Sequence, residues 1–342
     1  MPSQKVEDAA ALVHLSYEKV WRMPKMELVS NIEDGLFHNS EGKIKFYAPS
    51  FAHYKTNYFE SKPIEFPTIS ITGSSCALKC KHCGGRFLNT MISAPTPNEL
   101  TAVCIDLKER GCQGILISGG CLPDGSIPLG KFAEAIARVK QNTKLTVIVH
   151  TGIIDYPTAE ALSASGVDAA LIDVIGSDET IREIYNLNVK ADDYGHSLSA
   201  LTNAGVPIIP HVLVGLHYGR IKGELQALRM ISEHSPSAVI VIALMPTQGT
   251  AMEKVNPPTP DDIARVMVTA RVMMPDTPVA LGCMRPKGQH RIKTDMLAVE
   301  SGVNAIAFPS EEAIRLAESL GLDISFSSMC CSQIFLDTHQ VH

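Results

Sequence analysis

Three cysteines in the run Cys76-Ala-Leu-Lys-Cys80-Lys-His-Cys83 carry the strongest chemical signal in the chain. The spacing C-x3-C-x2-C offers three thiolates from one short loop, whereas a cubane iron–sulfur cluster takes four ligands. Three protein thiolates would leave one iron open to bind another group. Zinc is the main alternative, with His82 or a distant cysteine as fourth ligand. Structural zinc sites, however, pair two short knuckles, or a C-x-x-C with an H-x3–5-H. No second knuckle follows, and His82 is too close to Cys80 and Cys83 in sequence to join both comfortably in one tetrahedron. Buried free thiols pack as small hydrophobes, and a polar loop rich in lysine and glycine is a poor place for them.

The elements that must position this loop repeat along the chain. Apolar or β-branched runs occur at 68–72, 114–118, 145–150, 169–174, 207–214, 238–244, 279–282 and 304–308. Most are short and nearly continuous, as in parallel strands buried on both faces. Helical periodicity fills the intervals at 97–110, 129–141, 158–164 and 260–273, and again from the Ser310 N-cap to Gly321. Eight strand–helix repeats predict an α/β fold, a (βα)8 TIM-type barrel, with a partial six-stranded barrel as the alternative. Three regions follow: an N-terminal extension over 1–65, the barrel over 66–324, and a cysteine-containing tail over 325–342. The extension reads as helix to about residue 33, then a hairpin at 42–47. Its aromatics (Phe46, Tyr47, Phe51, Tyr54, Tyr58, Phe59) are expected to cap the bottom of the barrel, or to form a substrate or partner surface.

In a parallel barrel the chemistry lies where strands end. The thiol loop follows the first strand. The second ends in Ser118-Gly119-Gly120-Cys121, where paired glycines let backbone approach a ligand closely. The third ends at His150. Asp173 closes the fourth, and a carboxylate in an apolar strand is costly unless paired or facing a ligand. Gly215 and the pair Leu244-Met245 end the fifth and sixth.

This constellation resembles the radical S-adenosylmethionine (SAM) superfamily, in which SAM binds the open iron through its amino and carboxylate groups. The resemblance implies that Cys76, Cys80 and Cys83 hold a [4Fe–4S] cluster. Ser118-Gly119-Gly120 is similar to the GGE-like motif that holds the SAM amino group, with Cys121 where the acid usually stands. By the same resemblance His150 belongs to the SAM site, and Asp173 faces the SAM ribose or the substrate unless it forms an internal salt bridge. Gly215 would pack near the adenine, with the Leu244 and Met245 backbone against it. Residues 179–185, 246–260 and 270–275 resemble biotin synthase and its relatives, and the likeness spans about 66–310. It implies reduction of SAM to methionine and a 5′-deoxyadenosyl radical that abstracts hydrogen from an unactivated carbon.

Biotin and lipoyl synthases insert sulfur taken from an auxiliary iron–sulfur cluster, which needs further ligands. Cys121 and Cys283 end the second and seventh strands, and Arg285 lies beside Cys283, near where biotin synthase carries an arginine in its auxiliary site. The tail pair Cys330-Cys331 would complete an auxiliary set by folding over the mouth. Alternatively, these thiols are packing residues or free, as Cys104 and Cys112 are expected to be. The cysteine pattern does not copy biotin synthase and lacks the N-terminal signature of single-chain lipoyl synthase. It is similar to a component of the two-protein lipoyl synthases of archaea and some anaerobes. That likeness implies a protein-bound octanoyl substrate and a second radical SAM protein as partner. A reductant such as ferredoxin or flavodoxin is implied in either case. The competing activity is rearrangement or fragmentation of a small molecule, as in methylornithine synthase or cofactor-maturation enzymes. A non-catalytic metal-binding protein would bind no SAM and leave the glycine motifs without a purpose.

Composition narrows the class. The chain has 342 residues, 45% of them apolar, and a net charge of −6 without any lysine–arginine block. No nucleic-acid or anionic-membrane partner is expected. No uncharged apolar run reaches membrane-spanning length, and the first residues lack a signal-peptide pattern. Nine cysteines in an unsecreted chain point to thiolate chemistry rather than disulfides. A soluble cytoplasmic enzyme is expected.

Overall fold

The computed structural model describes residues 15–338 apart from 38, 40 and 63. Helix expected before residue 15, and the last four residues of the tail, lie outside the described residues. Two short helices, α1 (Tyr17–Arg22) and α2 (Lys25–Glu33), lead into β1 (Lys43–Tyr47). The eight expected strands are all present. They are β2 (Thr68–Ser70), β4 (Gly114–Ser118), β5 (Thr146–His150), β6 (Ala169–Asp173), β7 (Ile208–Val214), β8 (Val239–Ala243), β9 (Val279–Leu281) and β10 (Ala305–Ala307). The two-residue β3 (Ile92–Ser93) and the late β11 (Asp323–Ser327) were not foreseen.

Among the described residues, all strands pair in parallel in one eleven-stranded sheet, ordered β11-β1-β10-β9-β8-β7-β6-β5-β4-β2-β3. It curls into a half-barrel of the TIM type, and the eight repeats displace the six-stranded alternative. Strands β5 to β8 are valine-, isoleucine- and leucine-rich and buried along nearly their whole length, as crossover helices covering a parallel sheet require. The helices between them include α3 (Pro97–Glu109), α4 (Ala133–Thr143), α5 (Tyr156–Ser165), α6 (Asp178–Ile184) and α7 (Ala191–Asn203). Then come α8 (Glu224–Ser232), α9 (Pro260–Met273), α10 (Gln289–Glu300), α11 (Glu311–Ser319) and the terminal α12 (Ile334–Thr338). Side chains fix where several begin. Thr96 and Glu99 close a capping box on α3, Thr259 and Asp262 another on α9, and Ser177 caps α6.

The expected hairpin at 42–47 is a single strand. Lys45 pairs with Ala305 on one side and Ser325 on the other, both in parallel, so no antiparallel partner exists. The segment after β1 meets the start of β2, where the Phe66 N–H donates to Ser50 Oγ at 2.8 Å. Phe46 and Tyr47 lie within β1, and Phe51, Tyr54 and Phe59 pack at the C-terminal ends of β10 and β11, not at the bottom of the barrel. Tyr54 donates its hydroxyl to the Pro309 carbonyl at 2.8 Å, Phe51 meets Phe308 edge-on, and Phe59 stacks on Phe326 of β11. Among the described residues, no helix is long and apolar enough to cross a membrane.

Candidate active site

The thiol loop leaves β2 and is pinned by the segments that follow α6 and β4. The Lys81 N–H donates to the Ile184 carbonyl at 2.8 Å, and the Asn186 amide reaches the Leu78 carbonyl at 3.2 Å. Around Cys80 the chain reverses, with both the Cys83 and Gly84 N–H groups on the Cys80 carbonyl. Gly84 and Gly85 then take positive φ values of 55° and 76°, which glycine adopts without a Cβ penalty. On the other side the Gly120 N–H donates to Thr72 Oγ1 at 2.7 Å, and the Ala77 N–H to the Cys121 carbonyl at 2.8 Å. A Cβ on Gly120 would lie 2.0 Å from the Ser75 carbonyl oxygen and 2.6 Å from Cys76 Cα. The second glycine is therefore what lets the thiol loop close on β4.

This packing brings four thiols to one place. The Cys76 thiol is in hydrogen-bonding contact with that of Cys121, which, with the Leu78 and Lys79 amides, overcomes burial and brings Cys76 down to about 5. The Cys121 thiol is pushed up correspondingly. Cys80 and Cys83 form the second contacting pair, Cys83 lowered by its bond from Cys80 and by His82, and Cys80 raised. The ligand atoms of Cys80, His82 and Cys83 lie within 4.8 Å of one another. Contrary to the reading of the spacing, the tight turn lets His82 join both cysteines, so spacing alone does not dispose of zinc.

Beyond the thiols, Asp173 faces a ring of histidines. His150 Nε2 lies 3.3 Å from Asp173 Oδ1, and the His150 and His211 rings are 5.9 Å apart. Burial alone would raise Asp173, but His150, His211 and His82 together bring it down to about 2. For His150, burial opposes the proton and Asp173 more than restores it, leaving a net rise. Burial dominates at His211 and lowers it to about 4.

A family profile described as the radical SAM superfamily matches residues 70–222, from β2 through the loop after β7. The chain carries a radical SAM domain. Relatives of this domain include the biotin synthase of Synechococcus elongatus, 27% identical over 74% of this chain and 80% of that protein. Solved structures with the same fold include methylornithine synthase, with a TM-score of 0.56, 16% identity and 94% of each chain covered. An [FeFe]-hydrogenase maturase gives a TM-score of 0.62 at 15% identity, over 90% of this chain and 68% of that one.

The cofactors of the radical SAM domain are a [4Fe–4S] cluster and SAM, and the residues present suit them. Sulfur donors predominate at the mouth, as an iron–sulfur cluster requires. Two buried polar atoms beside them, His82 Nδ1 and the Tyr185 hydroxyl, have no hydrogen-bond partner, although such groups are normally satisfied. Ser118, Gly119 and Gly120 border the thiol loop, yet the Gly120 amide is already taken by Thr72. Gly215 has φ 72°, donates its N–H to Glu224 Oε1 at 2.8 Å, and leaves no room for a Cβ against Pro258. Leu244 is buried, its N–H on the Val214 carbonyl, and Met245 is partly exposed just beyond β8.

The expected auxiliary set divides. Cys121 stays with the loop thiols, whereas Cys283 has Cys330 and Arg291 among its electrostatic neighbours. Cys331 contacts Cys330 and feels Cys283. The strands that lead to Cys121 and Cys283, β4 and β9, stand five places apart in the sheet. Arg285 is fully buried and bonded to both Asp295 oxygens, at 2.7 and 3.0 Å, and to the Gly282 and Phe308 carbonyls. His82 was weighed only as a zinc ligand, whereas His211, Tyr185 and Tyr194, a buried tyrosine near Asp173 and Cys121, were not picked out from the sequence. His211 was open to the same logic that singled out Asp173, a polar side chain within an apolar strand.

Proposed function

We propose that this radical SAM enzyme inserts sulfur at an unactivated C–H bond, in the manner of the biotin and lipoyl synthases. The similarity to biotin synthase over about three quarters of the chain carries the reading. When bound, the cluster and SAM supply a 5′-deoxyadenosyl radical for hydrogen abstraction. Cys76, Cys80 and Cys83 would hold the cluster, and Gly119-Gly120 keep β4 close enough for backbone to meet SAM. The Asp173 carboxylate, kept ionised beside His150, offers an acceptor to the hydroxyl- or ammonium-bearing part of a ligand. Apolar walls from β5 to β8 exclude water from the reacting carbon.

Sulfur insertion needs a donor, and Cys283, Cys330 and Cys331 are the thiols that would hold a sacrificial auxiliary cluster. The substrate on this reading is a protein-bound acyl chain, with a second radical SAM protein as partner and a ferredoxin- or flavodoxin-type reductant. One observation favours a second reading. Arg285 is committed to Asp295 and Cys121 to the loop thiols, which leaves three cysteines at the second position. A radical SAM rearrangement or fragmentation of a small molecule needs none. Iron and sulfide content after anaerobic reconstitution separates the two, measured on wild type and on a Cys76/Cys80/Cys83→Ala variant. Iron that persists in the variant, and is lost when Cys283, Cys330 and Cys331 are also replaced, supports sulfur insertion. A variant free of iron moves the assignment to rearrangement.

A further inference from the structure

We propose that Cys121 is an exchangeable fourth ligand of the iron–sulfur cluster, occupying the open iron when SAM is absent and leaving it when SAM binds. This rests on the radical SAM assignment and not on the sulfur-insertion reading. Four thiols, rather than three, meet at the mouth of the barrel. Gly120, the residue before Cys121, lies directly against Cys76, where its would-be Cβ stands 2.6 Å from Cys76 Cα, and this brings the Cys121 thiol to that of Cys76. Its placement is held from two sides. The Cys121 carbonyl accepts from Ala77 within the thiol loop at 2.8 Å, and on the other side its Sγ borders the space beside Gly152, 3.8 Å from where a Cβ there would lie. Asp173 is another of its neighbours, so the thiol sits between Cys76 and the histidine-ringed lumen.

The residue type fits the task. At this place after the paired glycines, an acid would attract the SAM ammonium, and a neutral thiol gives no such attraction. A thiolate is instead a soft ligand suited to iron in a sulfide cluster. Without SAM, the open iron faces water and oxidants and is the first to be lost. Capping forms one Fe–S bond and releases the thiol proton to solvent. SAM binding would break that bond and form Fe–N and Fe–O bonds through the SAM amino and carboxylate groups, and the proton that the SAM ammonium loses on binding would go to the Cys121 thiolate. No electron is transferred in either direction.

The test uses anaerobically reconstituted wild type and Cys121→Ala, treated with a mild oxidant with and without SAM, and follows the [3Fe–4S] EPR signal. Wild type without SAM is expected to keep its cluster, while the variant gives several-fold more [3Fe–4S] and regains protection when SAM is added. Equilibrium SAM binding should tighten about tenfold in the variant if nine tenths of the wild-type clusters are capped. Equal iron loss and equal SAM affinity in the two proteins would overturn the proposal. If the variant takes up no cluster, wild type alone decides through 57Fe Mössbauer spectroscopy. A distinct iron site that appears only on adding SAM supports capping, and one already present without SAM refutes it. Failure of wild type to assemble any cluster would sink the radical SAM assignment as well.

Discussion

Replacing Gly120 with alanine tests the packing that builds the site. The new Cβ would stand 2.0 Å from the Ser75 carbonyl oxygen and 2.6 Å from both Cys76 Cα and Cβ. Two of these are backbone atoms, so no rotamer change relieves the overlap. Reaching even a 3.0 Å contact moves the Ser75 carbonyl by about 1 Å, and it carries Cys76 with it. Overpacking of this kind costs about 1–3 kcal/mol, a tolerable loss for a barrel of this size. Misplacing a reacting group by about 1 Å costs roughly 10²-fold in rate. The expected result is a folded protein with a Tm lowered by several degrees, sub-stoichiometric iron, and 5′-deoxyadenosine formation down about a hundredfold. Gly119→Ala is the control, because its Cβ meets the Thr72 side chain at 3.0 Å rather than backbone, and its loss should be much smaller. A Gly120→Ala enzyme with full iron content and near wild-type SAM cleavage would refute the argument.

Three further outcomes are expected. Cys80→Ala should abolish 5′-deoxyadenosine formation while circular dichroism shows an intact barrel; residual SAM cleavage would contradict the cluster assignment. Asp173→Asn should drop His150 below the ordinary histidine value, since burial then acts unopposed, as followed by NMR titration of the ring. The pair's contribution to stability holds above the ordinary Asp173 value of 3.8 and fades as pH falls toward about 2. On the alkaline side it is complete below the ordinary histidine value of 6.5 and fades as pH rises through the raised His150 value. Arg285→Met should cost about 3–5 kcal/mol by stranding Asp295, both side chains being 0% exposed. Adding Asp295→Leu should recover most of that in urea melts, and no recovery would argue against a purely structural pair.

Strand positions and the crowding of three thiols in one loop were legible because both are local patterns. Runs such as Val239–Ala243 announce a doubly buried strand, and three thiols within eight residues stand out by spacing alone. Long-range partners were not. Nothing near Lys43 indicates that it lies beside Asp323, and nothing around Arg285 names Asp295 as its counter-charge. β11 escaped notice because Asp323-Ile-Ser-Phe-Ser is partly exposed throughout and lacks a core-like run. The Cys76–Cys121 contact likewise depends on how β2 and β4 align, a register that no single segment encodes.

The first strand of the described residues also sets a timetable for folding. β1 completes its pairing only with β10 and β11, beginning with Ala305 opposite Lys45, about 260 residues later. At ribosomal speeds of about 5–20 residues per second, it waits roughly 15 to 50 s for those partners. Through that interval Ile44, Phe46 and Tyr47, all buried in the finished protein, have no sheet to join and present an open edge for misassociation. The thiol loop and its β4 support emerge much earlier, so the metal-binding end takes shape while the first strand is still unplaced. Arrival of β10 and β11, rather than assembly of the cysteine loop, therefore completes this sheet.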